Sequence, residues 1–416
     1  MTVPKRSPAF GLLAATAASG TGSGVMTVAV PWMVLSSTGS ATAAGLVAAA
    51  GIGPLVLSAL FGGALVDRWG HRRLTVAADL LNAGAVAAIP LVEPSPVALA
   101  LLVALGAVFR GPGMAAREAL RPAVARTAGW SLIRMNSRGE AVDGVSLLAG
   151  PAIAGLGIAA IGATATLWFT VALFAIAALL IRTTVPAPAI PVPAAGRSSP
   201  SARDAAWSRA GTGYLADVRA GLVLVLGDPA LRGAAVVSMM LVAVLVPIEA
   251  VVLPAHLQAR GDAAGLALLL SAFGGGGVVG ALSTARLEHR LGRRRTMLVS
   301  IATITVSVLG LALLPPLPSA AALAAAAGAA SGPVGPLVAV MLQERTPEAA
   351  RGRVIGTVGS LSLAASPAAL LLAGPLVDAA GPAGALCVLG AVCGLVLLPA
   401  ARAWRHAADV AVPADG

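Results

Sequence analysis

Long apolar runs, broken by short segments rich in Gly, Pro and Arg, set the pattern of this chain. A helix crosses a bilayer with about 20 consecutive apolar residues. Twelve runs meet that length: 10–35, 42–66, 74–93, 97–118, 140–162, 164–183, 231–255, 263–285, 296–315, 318–342, 354–377 and 382–402. Lys5 and Arg6 stand before the first run as in a signal peptide, but apolar sequence continues past Met33. That run is therefore read as a retained span.

Composition agrees with the pattern. Of 416 residues, 58% are hydrophobic and 11% charged. Soluble domains carry about 25% charged residues. The mean hydropathy is +0.91. A cytosolic enzyme, a secreted module and a disordered scaffold are excluded as the main body. The 49 glycines favour close helix–helix contact in lipid, where packing has no hydrophobic drive. Cys387 and Cys393 share one apolar run and do not read as a metal site.

Charge gives the topology. The net charge is +11. Every Lys and Arg except Arg110 and Arg260 falls at the termini, in segments that follow even-numbered runs, or within two residues of the run ends that border those segments. Basic residues stay cytoplasmic during insertion. Both termini are therefore expected inside, and an even number of spans fits. The positive charge reads as topology and inner-leaflet contact rather than nucleic-acid binding.

Residues 185–203 are rich in Pro, Ala and Ser, as linkers are. After them Leu215, Val218, Leu222 and Val225 form one helical stripe, which predicts a short interfacial helix over Tyr214–Leu226. The linker divides the spans six and six. The expected organisation is an N-terminal six-helix bundle over 1–183, a cytoplasmic linker with its interfacial helix over 184–230, a C-terminal six-helix bundle over 231–402 and a cytoplasmic tail over 403–416.

The halves repeat. Leu147-Leu148-Ala149-Gly150-Pro151 recurs as Leu371-Leu372-Ala373-Gly374-Pro375. Arg126-Thr127 with Arg134 recurs as Arg345-Thr346 with Arg353, and Arg68-x-Gly70-x-Arg72-Arg73 as Arg290-x-Gly292-x-Arg294-Arg295. The three matches keep order at a nearly constant offset. Parallel six-span repeats point to a two-lobed transporter with its site between the lobes near mid-membrane.

The segment Gly63-Ala-Leu-Val-Asp67-Arg68-Trp-Gly70-His71-Arg72-Arg73 resembles the signature that the major facilitator superfamily carries between spans two and three. His71 stands where a basic residue is usual. With twelve spans, a central linker and the second basic cluster at Arg290, Gly292, Arg294 and Arg295, the resemblance covers nearly the whole chain. In that second copy Ala285 and His289 replace the Gly and Asp. The resemblance implies an all-α membrane fold of two pseudo-symmetric six-helix bundles. It also implies that Gly63, Asp67, Arg68, Gly70, Arg72 and Arg73 form a latch closing the lobes on the inner side. Asp67 is suited to face a helix N-terminus, where an anion is favoured. A plain positive-inside loop explains the charge alone, but not the Gly/Asp/Gly spacing.

Gly150, Pro151 and Gly155 in span five resemble the Gly-Pro-x-x-Gly element of members that export drugs by proton antiport. Such residues bend a helix and allow tight contact. The stretch from Arg117 to Gly155 resembles, more loosely, the branch of macrolide-efflux and siderophore-export proteins.

Ionisable residues inside spans are functional candidates by default. Arg110 falls near mid-depth in span four, within Arg110-Gly-Pro-Gly113. The resemblance implies a part in proton relay; pairing with a carboxylate to fix packing is the other reading. A carboxylate in a low-dielectric cavity can bind and release a proton near neutral pH. Glu249 in span seven is the foremost such carrier, its alternative being an outer-mouth residue near Arg260. Asp143 and Asp79 read as lobe-bracing partners of loop arginines, with Asn82 beside Asp79 in span three.

Enzyme motifs are missing: there is no His-Glu-x-x-His and no Gly-x-Ser-x-Gly, and Lys5 as the only lysine excludes a P-loop. No cofactor or metal is expected. The sequence therefore predicts a monomeric secondary transporter of a bacterial inner membrane, with both termini cytoplasmic. Its partners are a small-molecule substrate, protons and the lipid bilayer. Its expected activity is export of a lipophilic drug or natural product by proton antiport with alternating access. Proton-coupled uptake, or a non-transporting sensor on the same fold, are the alternatives.

Overall fold

The computed structural model describes residues 7–59, 69–92, 95–186, 219–347 and 350–408. The N-terminal half holds α1 (Ser7–Thr38), α2 (Ala41–Ala59), α3 (His71–Ala88, continued by a 3-10 turn at Ile89–Leu91), α4 (Pro96–Ala128), α5 (Leu132–Ile161) and α6 (Ala163–Thr184). The C-terminal half holds α7 (Pro229–Gln258), α8 (Ala263–Leu291), α9 (Arg293–Ala312) and α10 (Leu317–Arg345). The continuous stretch Arg351–Leu395 is two helices meeting at the non-helical Gly381. We label them α11 (351–380) and α12 (382–395, resuming after Val396 as Leu397–Ala408). Twelve helices in two bundles result. Gly63, Asp67, Arg68 and most of the 184–230 linker lie outside the described residues. The described end of the linker, 219–227, is helical.

Glycines make the tight reversals, and they obey the repeat. Gly70 precedes α3 at φ 75° and Gly292 precedes α9 at φ 78°. Gly162 precedes α6 at φ 83° and Gly381 precedes α12 at φ 71°. With ψ between 145° and 172°, these are conformations that side-chain-bearing residues rarely hold. Each turn thus consists of one residue, with no loop to spare.

Two helices outrun their hydropathy. The apolar runs predict spans at 97–118 and 140–162, whereas α4 extends to Ala128 and α5 starts at Leu132. Hydropathy marks the part of a helix that sits in lipid, and both helices project beyond it. Their ends are set by capping: Gly129 terminates α4 in the left-handed conformation, and the Ser131 side chain accepts from the Arg134 N–H to start α5. Asp228 and Asp262 cap α7 and α8 in the same way.

Small residues let the helices touch backbone to backbone. A Cβ added at Gly276 or Gly280 of α8 would stand 2.1 Å and 2.0 Å from the carbonyl oxygens of Ala325 and Ala329 in α10. From the other side, one added at Gly328 would stand 1.9 Å from the Phe273 oxygen. Gly24 of α1 and Gly150 of α5 meet likewise, and Gly233 of α7 receives the Ala403 methyl of α12. Val28, Phe174 and Leu167 lie buried in the N-terminal bundle and Met297, Ile301 and Trp404 in the C-terminal one.

Candidate functional site

The bundles meet along two antiparallel seams. A Cβ at Gly45 of α2 would lie 2.6 Å from the Leu370 oxygen of α11, and one at Gly374 would lie 2.5 Å from the Ala41 oxygen. In the second seam, a Cβ at Gly155 of α5 would lie 2.5 Å from the Ala267 Cα of α8. All these contacts fall toward the face opposite the start of α1 and the end of α12, where α1, α5 and α11 end and α2 and α8 begin. Nearer the middle the bundles separate around a cavity of about 570 Å³, part of it open to solvent. Its wall takes Val30 from α1, Ile52 from α2, Asn82 from α3, Arg110 from α4, Ala250 from α7 and Leu370 from α11.

Apart from Thr27 and Asn82, Arg110 is the polar side chain on this wall. Its Nε is buried and has no hydrogen-bond partner among the described residues. Asn82 donates to the Ala78 oxygen at 3.0 Å, which fixes its amide against α3. Gly106 and Gly113 admit α3 alongside α4, since a Cβ at Gly113 would stand 2.5 Å from the Ala78 Cβ. Glu249 is half-buried and does not line the cavity. It flanks Ala250 within a π-helical turn, Ile248–Val252, that interrupts α7 after Pro247. Such turns occur frequently at functional sites. Arg260 lies apart from it, on a second cavity with His256 and Asp262.

The other two carboxylates are engaged within the N-terminal bundle. Asp79 of α3 takes two bonds from Arg117 of α4, at 2.8 and 2.7 Å, and one from the Ser19 hydroxyl of α1 at 2.8 Å. Asp143 of α5 accepts from Arg121 of α4 at 2.7 Å, and Glu140 accepts from the same guanidinium at 2.8 Å. Gly139 leaves room for that guanidinium to lie on α5. Both arginines belong to α4 itself: Arg117 stands at the end of the apolar run, and Arg121 on the extension past it, where the hydropathy pattern predicts a loop. Both pairs connect helices of one bundle rather than the two lobes.

The repeated basic turns differ in their engagement. Arg72 donates to the Arg182 carbonyl at the end of α6, where a cation suits the terminal carbonyls, while Arg73 is exposed. In the second copy Arg290 and Arg295 are exposed and Arg294 is half-buried. Arg293, between them, holds Glu288 of α8 and Glu344 of α10. Gly150 and Pro151 are buried on the α1–α5 seam and Gly155 faces α8, so that one element contributes to both intra-bundle and inter-bundle contact.

Several participants escaped the sequence reading. Ser19 and Glu140 sit among many other polar residues with nothing to mark them. Arg293 aligns with His71 of the first copy, so the repeat does not single it out. Asp378 of α11 accepts hydrogen bonds from the first residues of α2; a signal for it existed, as the spacing Gly374-x-x-x-Asp378-x-x-Gly381 repeats that of Gly63, Asp67 and Gly70.

Comparison with known proteins agrees with this architecture. The Major Facilitator Superfamily profile matches residues 12–257 and 231–414. A protein of Mycolicibacterium fortuitum named multidrug efflux pump Tap is 39% identical over 388 residues, covering 92% of each chain. The Mycobacterium tuberculosis protein of that name is 38% identical over 383 residues, covering 90% of this chain and 88% of its own. Among solved structures, a bacterial homologue of the iron transporter ferroportin in an inward-facing state superposes with a TM-score of 0.70 at 16% identity, covering 95% of this chain and 98% of that one. The nucleoside transporter NupG superposes at 0.68 with 13% identity, covering 95% and 99%. Two six-helix bundles around a shared cavity, a profile match over nearly the whole chain and relatives close to two-fifths identical place this chain in the major facilitator superfamily.

Proposed function

We propose that the protein exports lipophilic small molecules by proton antiport with alternating access. The observation that carries this reading is the cavity between the bundles, apolar on most of its wall and marked by Arg110, whose buried Nε has no hydrogen-bond partner among the described residues. Such a wall suits a lipophilic cargo, which needs area more than hydrogen bonds. The relatives named multidrug efflux pumps support export over uptake.

The face that holds the termini and nearly all the arginines is the cytoplasmic face of a bacterial inner membrane. Seams closed at the opposite face leave the cavity oriented toward the cytoplasm, ready to load. The cycle then rocks one bundle against the other, and proton binding shifts the equilibrium by its differential affinity for the two facings. Glu249 in the π-helical turn is the proton carrier, and Arg110 on the cavity wall senses its charge state. Asp67, with Gly63, Arg68, Gly70, Arg72 and Arg73, latches the cytoplasmic face when the outer face opens. Arg290, Gly292, Arg294 and Arg295 form the matching basic turn of the second bundle. Gly150, Pro151 and Gly155 keep α5 close to both its neighbours throughout. The monomer is the working unit, and lipid and protons are its other partners.

The test is transport in inverted membrane vesicles. With an imposed pH gradient, acidic inside, a lipophilic antibiotic accumulates and an uncoupler abolishes the accumulation. Accumulation in the reverse direction under the same gradient would assign uptake instead.

A further inference from the structure

The seam between α2 and α11 ends in an unusual contact. Asp378, at the end of α11, belongs to the C-terminal bundle; α2 opens the second crossing of the N-terminal one. The Asp378 Oδ1 accepts the Ala41 N–H at 2.8 Å, and Oδ2 accepts the Thr42 N–H at 2.9 Å and the Ser40 hydroxyl at 3.1 Å. The first N–H groups of a helix have no partner inside it, and the helix dipole favours an anion there. Ordinarily a residue just ahead of the helix caps them. Here two of them are capped by a carboxylate from the other bundle.

Glycines bring the two backbones within reach. Gly45 of α2 and Gly374 of α11 oppose one another's helices, and neither has room for a Cβ. One turn beyond Gly374 the Asp378 side chain meets the start of α2, and three residues later Gly381, at φ 71°, turns the chain into α12. The bundles cannot separate at this face without pulling Asp378 off α2.

The sequence around Asp378 strengthens the case. Gly374-x-Leu376-Val377-Asp378-x-x-Gly381 repeats Gly63-x-Leu65-Val66-Asp67-x-x-Gly70. The first copy falls in sequence between α2 and α3, and the second ends α11 at the outer face. Transporters of this architecture nest inverted three-helix repeats within each half, so an element of one face recurring at the other follows from the inversion. We propose that Asp378 is the latch of the outer face: seated on the N-terminus of α2 it holds the bundles together there, and its release is required for that face to open. This rests on the alternating-access reading above.

Distance measurements between spin labels test both and tell them apart. Full-length protein carrying Cys387→Ser and Cys393→Ser is reconstituted in lipid nanodiscs. Labels at Ser36 and Ala259, both exposed and in different bundles, report the outer face. Labels at Thr127 and Gln343, likewise exposed, report the terminal face. In the native background two outer distances exchange with pH or drug. Asp378→Asn and Asp378→Ala should raise the ratio of long to short outer distance by roughly two- to thirty-fold, the range of a lost helix cap. The terminal-face distance should shorten in step. Ser40→Ala, which removes one of the three bonds, should move the ratio the same way by less, and serves if the Asp378 variants do not fold. Folded variants with native distance populations would overturn the latch alone. One fixed distance at each face of the native protein under every condition would overturn alternating access, and the latch with it.

Discussion

Arg117 of α4 and Asp79 of α3 form an ion pair at 2.7 Å with only 10% and 3% of their side chains exposed. Removing one partner of a buried pair strands the other charge, at about 3–5 kcal/mol. Replacing both with apolar residues of similar size removes that penalty. Asp79→Leu or Arg117→Leu should therefore lower the thermal unfolding midpoint sharply in detergent, and the double variant should recover most of the loss. A double variant no more stable than either single one would show that the pair supplies more than charge balance.

Arg121 provides the contrast. Its partners Glu140 and Asp143 are 72% and 43% exposed, so water screens both interactions. Exposed pairs contribute about 0–1 kcal/mol. Glu140→Gln and Asp143→Asn should each leave the unfolding midpoint nearly unchanged, and a shift as large as that from Asp79→Leu would contradict the assignment.

The difference between these two pairs marks the limit of what the sequence discloses. Twelve crossings, two halves and the face bearing the arginines follow from apolar length and from where Arg is tolerated, because lipid imposes both. Gly70 and Gly292 are visible as repeat partners, and the structure gives them the same backbone conformation. Which arginine meets which carboxylate is not visible, since it depends on how far α4 and α5 project past their apolar runs and on the rotation of each helix. The tight α8–α10 seam is hidden for another reason: Gly276 and Gly280 lie among so many other glycines that composition conceals the face they share. Asp378 was legible only as a spacing, and it took the fold to show that its partner is the start of α2.

Gly155 tests the second seam. A Cβ there would stand 2.5 Å from the Ala267 Cα, a backbone atom that cannot rotate away. Gly155→Val should wedge α5 from α8 at the outer face while leaving each bundle intact, because Gly155 packs between bundles rather than within one. Transport in vesicles should fall by at least about tenfold, the effect of roughly 1.4 kcal/mol on a two-state balance. Normal transport by this variant would show that the seam is looser in the working protein than its contacts indicate.

Glu249 lies within α7 and takes part in none of the ion pairs among the described residues. If it carries the proton, Glu249→Gln fixes it in a form that resembles the protonated side chain. Drug binding by the purified protein should persist, while proton release on drug addition, read with a pH dye in weakly buffered solution, should disappear. Undiminished release would move the carrier role elsewhere.

Arg110 decides between a functional and a packing role, because the two make opposite predictions for stability. A residue that fixes packing by pairing destabilises the fold when it is removed. Arg110 instead has a buried Nε without a partner on the cavity wall, and an unsatisfied buried polar group costs about 1–3 kcal/mol. Arg110→Leu should therefore unfold at the same temperature as the native protein or higher. The same variant should lose proton-coupled transport, and Arg110→Lys, which keeps the charge but not the planar fork, should keep a fraction of it. Stability gained where transport is lost is what a charge retained for the cycle produces; a lowered unfolding temperature with transport intact would assign Arg110 to packing.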